Sequence, residues 1–348
     1  MKILISSDGR HAHYYQRTAL ARAFRAAGHE ASLWDCHTMS AFDAFDTFEP
    51  DVFLGQAYNL TNPLMKCIYE RPHLKIGLRS GDWGDIAPDP RLNVLYATEE
   101  QIRLLEKLKS ETGQPDFVHI HYDQAAMDIT HSKYKDIGID AKSLIMCADV
   151  EEYVDSKYKD SLACDIGFVG GYWPYKGLII DAYLTPLCDP VGKYNIKIFG
   201  NQPWTNVNQY CGVIGDSDVK NLFASAKICP NLSEPHAHEY GFDINERCFK
   251  ILCAGGFCIS DNITSIRNIF HSNGVVFADS PSDFEDKINH YLENKEERDE
   301  ISMTGKQIVL NNHTNFHRAA EVFRYFGFHQ EADKMISGWN HAKEQFNA

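Results

Sequence analysis

The chain has 348 residues, 44% hydrophobic and 24% charged, with a formal net charge of −14. That composition excludes a disordered chain, and its length favours two domains over a single core. The acidic balance disfavours duplex nucleic acid as a partner without ruling out a locally basic cleft. No apolar run approaches the ~20 residues of a membrane span, and "MKILISSDGR" turns polar too early for a secretory signal. Ten cysteines without a CxxC pair or a Cys/His zinc spacing read as buried thiols of a reducing cytosol, Cys229, Cys253 and Cys258 among them. A cytoplasmic protein is expected.

In chain order, the apolar "KILISS" predicts a first strand, followed by Asp8-Gly9 and the helical pattern "YYQRTALARAFRAAG". Strands are predicted at "HEASLWD", "DVFLGQA", "KIGLRS", "NVLYAT", "FVHIHY" and near "SLIMCAD", with helices such as "EEQIRLLEKLKSETG" between most of them. After the acidic, tyrosine-rich "DVEEYVDSKYKDSLA" the alternation restarts. "CDIGFVGGY", "YNIKIFG", "KICPNLS", "GFCISD" and "GVVFA" read as strands, and "DSDVKNLFASA" as a helix. "SPSDFEDKINHYLENKEERDEISMTG" reads as a helix pair, and the chain from "FHRAAEVFRYFG" onward as helical to the end. Strands alternating with helices imply parallel sheets, so the expected fold class is α/β with two doubly wound, Rossmann-like domains. The expected division is 1–150, 151–318 and a helical segment 319–348.

The stretch "YGFDINERCFKILCAGGF", residues 240–257, predicts a helix. At 3.6 residues per turn it places Ile244, Cys248, Ile251 and Leu252 on one face. Asp243, Glu246, Arg247 and Lys250 share the opposite face, Gly241 precedes the helix, and Gly255 and Gly256 end it. Taken alone, such a charged stripe is more often a solvated surface supported by i,i+4 pairs.

Three glycine-rich and polar loops fall at predicted strand ends in the second half. In "FVGGYWPYKG", Gly170 and Gly171 let the backbone approach a ligand closely, with the mobile cation Lys176 a few residues on. In "FGNQPW", Gly200, Asn201 and Gln202 offer hydrogen bonds to a base or sugar. "SEPHAHEYGFD" leads into the helix of residues 240–257, whose N-terminus with Arg247 and Lys250 would suit a phosphate. The bland readings are a tight corner at Gly170-Gly171 and a turn cap at Asn201. His236 and His238 could serve a metal, but a loop contact is favoured. Neither a Walker A loop nor a GxGxxG fingerprint at Gly9 is present.

In the first half, "SSDGRHAHYY" offers His11 or His13 as a base for a hydroxyl, against the plain reading of a structural histidine. "RSGDWGD" places Asp82 and Asp85 around Trp83, carboxylates for hydroxyls and an aromatic face for a sugar. Paired carboxylates also fit a glycosidase. Arg10, Arg17, Arg71 and Arg79 would line a basic cleft if one exists.

These stretches resemble a known family. "ALARAFRAAGHEASLWD" resembles the first βαβ unit of GT-B glycosyltransferases, and "FVGGYWPYKG" matches the spacing of their donor loop. "CGVIGDSDVKNLFASAKICPNLSEP" and "NERCFKILCAGGFCISD", with the later "HYLENKEERDEISMTGKQIVLNNHTNFHR", resemble glycosyl transferases group 1 and especially the CgeB-like members. The resemblance implies a nucleotide-diphosphate sugar, UDP-linked by preference, held by the second domain as substrate, with no further cofactor and no metal. It implies a hydroxyl acceptor held by the first domain, and a terminal helix that crosses back to it.

By position, Lys176 would contact the diphosphate, and the helix N-terminus would hold the phosphates. Gly9 and the run Tyr240, Gly241, Phe242, Asp243, Asn245, Glu246, Arg247 and Lys250 would line the donor. Gly171 stands where the family keeps an arginine, which makes Arg247 the substitute. The ribose-binding glutamate falls on Lys250 counted back from Gly255 and on Glu246 counted forward from Gly241.

The expected function is transfer of a sugar from a nucleotide donor to a hydroxyl of a glycan, a protein, a small metabolite or a modified nucleobase. Lys176 and Arg247 would stabilise the departing diphosphate, and His11, His13 or Asp82 would be the base of an inverting reaction. A nucleotide-sugar epimerase and a non-catalytic binding protein on the same fold are the alternatives.

Overall fold

The computed structural model describes residues 1–7, 12–80, 98–271 and 273–344. The chain divides into two compact units, Met1–Ile145 with Asn315–Ala348, and Met146–Thr314. Among the described residues, no helix is long and apolar enough to cross a membrane.

Unit 1 runs β1 (Lys2–Ser6), α1 (Ala12–Ala26), β2 (Glu30–Trp34), α2 (Ala41–Phe48), β3 (Val52–Gln56), α3 (Asn62–Tyr69), β4 (Lys75–Arg79), α4 (Thr98–Thr112), β5 (Phe117–Ile120), α5 (Gln124–Thr130), α6 (Ser132–Asp136) and β6 (Asp140–Ser143). Its sheet is parallel throughout, in the order β2-β1-β3-β4-β5-β6.

Unit 2 runs α7 (Val150–Tyr153), β7 (Cys164–Val169), α8 (Pro174–Tyr183), β8 (Ile196–Phe199), α9 (Asp216–Ser225), β9 (Ala226–Asn231), α10 (Pro235–Tyr240), α11 (Arg247–Cys253), β10 (Cys258–Asp261), α12 (Thr264–Phe270), β11 (Val276–Ala278), α13 (Pro281–Glu293) and α14 (Lys295–Asn312). Its parallel sheet is ordered β11-β10-β9-β7-β8. The chain then returns to unit 1 with α15 (Asn315–Tyr325) and α16 (His329–Lys343).

Both sheets are buried on two faces, which is why their strands read as apolar runs. In unit 1, Ile3, Ile5, Leu54 and Phe117 pack against Leu20 and Phe24 of α1 and Ala319 and Phe323 of α15. The alternate residues Leu4, Phe53, Ile76 and Val118 pack against Phe45, Ile68 and Leu105 on the other face. In unit 2, Ile166, Phe168, Ile198 and Ile228 meet Ile180, Tyr183, Phe284 and Ile288. Each strand order reverses once, between β1 and β3 in unit 1 and between β7 and β9 in unit 2. Open parallel sheets place their ligand crevices beyond the carboxyl ends of the strands at such reversals.

Most predicted elements fall where the periodicity put them. The strand expected near "SLIMCAD" lies earlier, at Asp140–Ser143, where β6 pairs with Phe117–Ile120 of β5. The strand expected at "NVLYAT" falls outside the described residues up to 97, and its Thr98 opens α4. All ten cysteines are free, and Cys229, Cys253 and Cys258 are buried.

Candidate functional site

The polar residues of unit 2 gather at the carboxyl ends of β7, β8 and β9. The loop after β7 begins with Gly170-Gly171 and ends where Pro174 opens α8. Gly170 and Gly200 touch across these strand ends. A Cβ on Gly200 would stand 2.3 Å from the Gly170 carbonyl oxygen, so only glycine admits the approach. Trp204 secures the same carbonyl by donating from Nε1 at 3.1 Å, and its ring packs edge-on against Phe168.

Arg247 ties the two sides of the strand-order reversal together. Its Nε donates to the Val169 carbonyl oxygen at 3.0 Å, and its Nη1 to that of Leu232 at 3.2 Å. The guanidinium carbon lies 4.7 Å from the centre of the Phe168 ring. Its remaining terminal nitrogen, Nη2, lies against Gly170, where an added Cβ would come within 3.1 Å. Arg247 is therefore first a clamp on the strand ends, with Nη2 toward the glycine loop.

Lys176 stands in the first turn of α8 and, among the described residues, makes no hydrogen bond or ion pair. Burial and then the Arg247 guanidinium bring its ammonium down to about 8, against the opposing pull of Glu234, Asp243 and Asp261. Two cations that act on each other, one of them with a guanidinium nitrogen against Gly170, suit an incoming anion, although Glu234, Asp243 and Asp261 already offset part of their charge.

The helix expected across residues 240–257 is shorter than its sequence pattern. Pro235 opens α10 at its first position and Gly241, at φ 78°, closes it, its N–H donating to the Ala237 carbonyl oxygen at 2.8 Å. Gly241 thus ends one helix and does not begin the next. Residues Gly241–Glu246 form a connecting loop, and α11 begins at Arg247, whose N–H is received by Asn245 Oδ1 at 3.2 Å. The stretch "SEPHAHEYGFD", read as one loop, contains α10. Asp243 consequently leaves the charged face and accepts from His236 Nε2 at 2.9 Å.

The apolar face holds, with Ile244, Cys248, Ile251 and Leu252 all buried. Phe249 and Cys253 are buried as well, leaving little of α11 to solvent. Glu246 and Lys250 form the i,i+4 pair at 2.5 Å, and Lys250 also lies 5.7 Å from the centre of the Tyr153 ring. Tyr240 and Phe242 stack at 5.8 Å beside them in sequence.

Asp261, fully buried at the end of β10, is a centre that sequence reasoning missed. It accepts from the Ser233 N–H at 2.7 Å, the Ser233 hydroxyl at 3.0 Å and His238 Nε2 at 2.8 Å. The two histidines of "PHAHEY" face separate carboxylates and do not form a common metal site. Asn201, past β8, has its side-chain oxygen 3.4 Å from where a Cβ on Gly171 would lie.

Of the unit 1 candidates, Gly9, Arg10, His11, Asp82, Trp83 and Asp85 lie outside the described residues. His13 is in the first turn of α1, its ring centre 6.3 Å from that of His121. Burial, and then Arg79, His121 and Arg17, hold its imidazole far below the usual histidine range. Arg71 is elsewhere, paired with Asp46 at 2.5 Å over the Phe45 ring.

Comparison with known proteins accords with this architecture. Residues 184–324 match a family model described as glycosyl transferase-like. That general description, and not the CgeB-like subgroup, is what the match carries. No curated protein matches the chain. Among solved structures, sucrose-phosphate synthase from Thermosynechococcus elongatus is similar at a TM-score of 0.64 and 9% identity, covering 94% of this chain and 98% of that one. T4 phage BGT in complex with its UDP-glucose substrate is similar at 0.54 and 13%, covering 96% and 100%. HepE of Anabaena in complex with UDP-glucose is similar at 0.57 and 12%, covering 97% and 99%. Residues 184–324 thus match a glycosyl transferase-like family model, and the chain as a whole shares the two-sheet GT-B fold of these solved structures.

Proposed function

We propose that the protein binds a uridine-diphosphate sugar at the carboxyl edge of the unit 2 sheet and transfers the sugar to a hydroxyl. The observation that carries this reading is Lys176, without a hydrogen-bond or ion-pair partner among the described residues, within electrostatic reach of Arg247, whose Nη2 lies against Gly170. Negative charge that develops on the departing diphosphate would be met by Lys176 Nζ, by Arg247 Nη2 and by the free N–H groups at the start of α8. Because Arg247 is held by two carbonyl oxygens before the donor arrives, little reorganisation of that group accompanies the reaction. The choice of uridine is supported by neighbours solved with UDP-glucose.

Glu246 is our choice for the ribose hydroxyls. A carboxylate accepts from both hydroxyls of a diol, whereas a lysine ammonium only donates. Lys250 would orient it through their ion pair. With side-chain cations facing the diphosphate, we propose transfer that needs no metal. T4 phage BGT has been solved with UDP and Mn2+, so EDTA treatment is the appropriate check. Ten free cysteines suit a reducing compartment, and we place the protein in the cytoplasm.

Incubation with UDP-, GDP-, ADP- and CDP-glucose, with release of the nucleotide as readout, tests the proposal. UDP release that accelerates with an added acceptor extract supports it, and no turnover of any donor refutes it.

A further inference from the structure

The carboxyl edge of the unit 1 sheet carries a second concentration of cations. Gln56, Arg79 and His119 occupy matching register positions on the neighbouring strands β3, β4 and β5. In a parallel sheet such partners project to one face, about 4.8 Å apart. The face is the one covered by α1 and α15, because Leu54 and Phe117, two residues earlier on their strands, pack there. From α1, Arg17 and His13 complete the group, one turn apart on the same side of the helix.

Three features distinguish this cluster from an ordinary polar rim. The chain is acidic overall, yet among the described residues the groups that act most strongly on His119 are Arg79, Arg17 and His121, with no carboxylate among them. The strongest influences on His13 and Arg79 among the described residues likewise include no carboxylate. Finally, Gln56 is 1% exposed at the strand-order reversal, and among the described residues neither its Nε2 nor its Oε1 has a hydrogen-bond partner. A buried amide with nothing to bond, among two guanidiniums, is costly unless a ligand supplies the missing groups.

We propose that this edge of unit 1 binds a phosphoryl group carried by the hydroxyl acceptor, with Arg17 and Arg79 on its oxygens and the Gln56 amide donating to it. The inference deepens the glycosyltransferase reading, on which it rests, by naming the acceptor class as a phosphate ester. Two guanidiniums and an amide present more donors than a single carboxylate can receive, and their planar forks suit phosphate oxygens. With the arginines neutralised, their part in lowering His13 and His119 would be relieved, while burial, the larger cause, would remain.

The test uses the full chain, first titrated with UDP to occupy and measure the donor site by itself. Inorganic phosphate, methyl phosphate and dimethyl phosphate are then titrated into the UDP-loaded protein and followed by phosphorus NMR line widths. Saturable binding to one site is expected, weakened at least tenfold in Arg79→Gln and severalfold in Gln56→Met. Circular dichroism and UDP affinity confirm that both variants are folded. Preference for methyl phosphate indicates a terminal monoester on the acceptor, and preference for dimethyl phosphate a phosphodiester. No saturable binding of any of the three overturns the proposal, as does binding that survives unchanged in folded Arg79→Gln. Loss of UDP binding alone contradicts the donor reading and leaves the phosphate titration readable.

Discussion

Arg247 Nε donates to the carbonyl oxygen of Val169 at 3.0 Å, fixing the last residue of β7 from the first residue of α11. The same guanidinium reaches the Leu232 carbonyl oxygen beyond β9, so one side chain spans the reversal of strand order in unit 2. Arg247→Lys keeps the charge but cannot serve two carbonyls and a ligand from one fork. We expect kcat/KM for UDP-sugar turnover to fall by at least a hundredfold. Stability should fall by about 1–3 kcal/mol, as charged hydrogen bonds of this kind are worth. Steady-state kinetics and urea melts check both, and wild-type turnover would contradict the role.

Lys176 gives the donor site a pH signature. With its ammonium near 8, the free protein loses this proton between pH 7.5 and 9. A diphosphate prefers the protonated form, so UDP affinity should weaken roughly five- to tenfold over that interval. In Lys176→Met the slope should vanish and the affinity at pH 7 should drop to the high-pH level. Stability of the unliganded protein runs in the opposite sense. A lysine held below its unfolded value of 10.5 binds fewer protons folded than unfolded, so this group alone adds stability as pH rises from about 8 to 10.5. Calorimetric titration of UDP at several pH values measures the first effect, and thermal melts without ligand the second.

Gly200→Ala places a methyl 2.3 Å from the Gly170 carbonyl oxygen, a backbone atom that cannot rotate aside. The glycine loop must shift, at a cost of about 1–3 kcal/mol. UDP affinity should fall at least tenfold while the remainder of unit 2 keeps its fold, as circular dichroism would report.

The Glu246–Lys250 pair separates two roles. Glu246→Ala should raise KM for the UDP-sugar severalfold or more, whereas Lys250→Ala should change it less than threefold. An ion pair of this partly solvated kind contributes under about 1 kcal/mol. The reverse order would move ribose recognition to Lys250.

Asp261 is structural in this account. Removing it strands Ser233 and His238 in a buried setting, and Asp261→Ala should destabilise the protein by about 3–5 kcal/mol. A melt within a degree of wild type would show that the cluster is dispensable.

Much of this was readable in the chain itself. Buried parallel strands announce themselves as apolar runs, and glycines at their ends mark where a ligand can approach, as at Gly170 and Gly200. The apolar face of Cys248, Ile251 and Leu252 was equally legible. The start of α11 was not, because helical periodicity continues through Asp243 and cannot register that Gly241 closes α10 behind it. Pro235 and Gly241, six residues apart, were the available signal. Gln56, His119 and Asp261 escaped notice for a different reason. Each is a polar residue near the end of an apolar strand, and its significance depends on which strands become neighbours, which no local pattern contains.

The central claim is that a uridine diphosphate lies at the carboxyl edge of the unit 2 sheet. Hydrogen exchange of the full chain with and without saturating UDP tests it most directly. The account predicts slowed exchange at residues 170–176, 200–204 and 245–250, reduced in Lys176→Met. Protection confined to unit 1, or no protection in these three segments at saturating UDP, would contradict it.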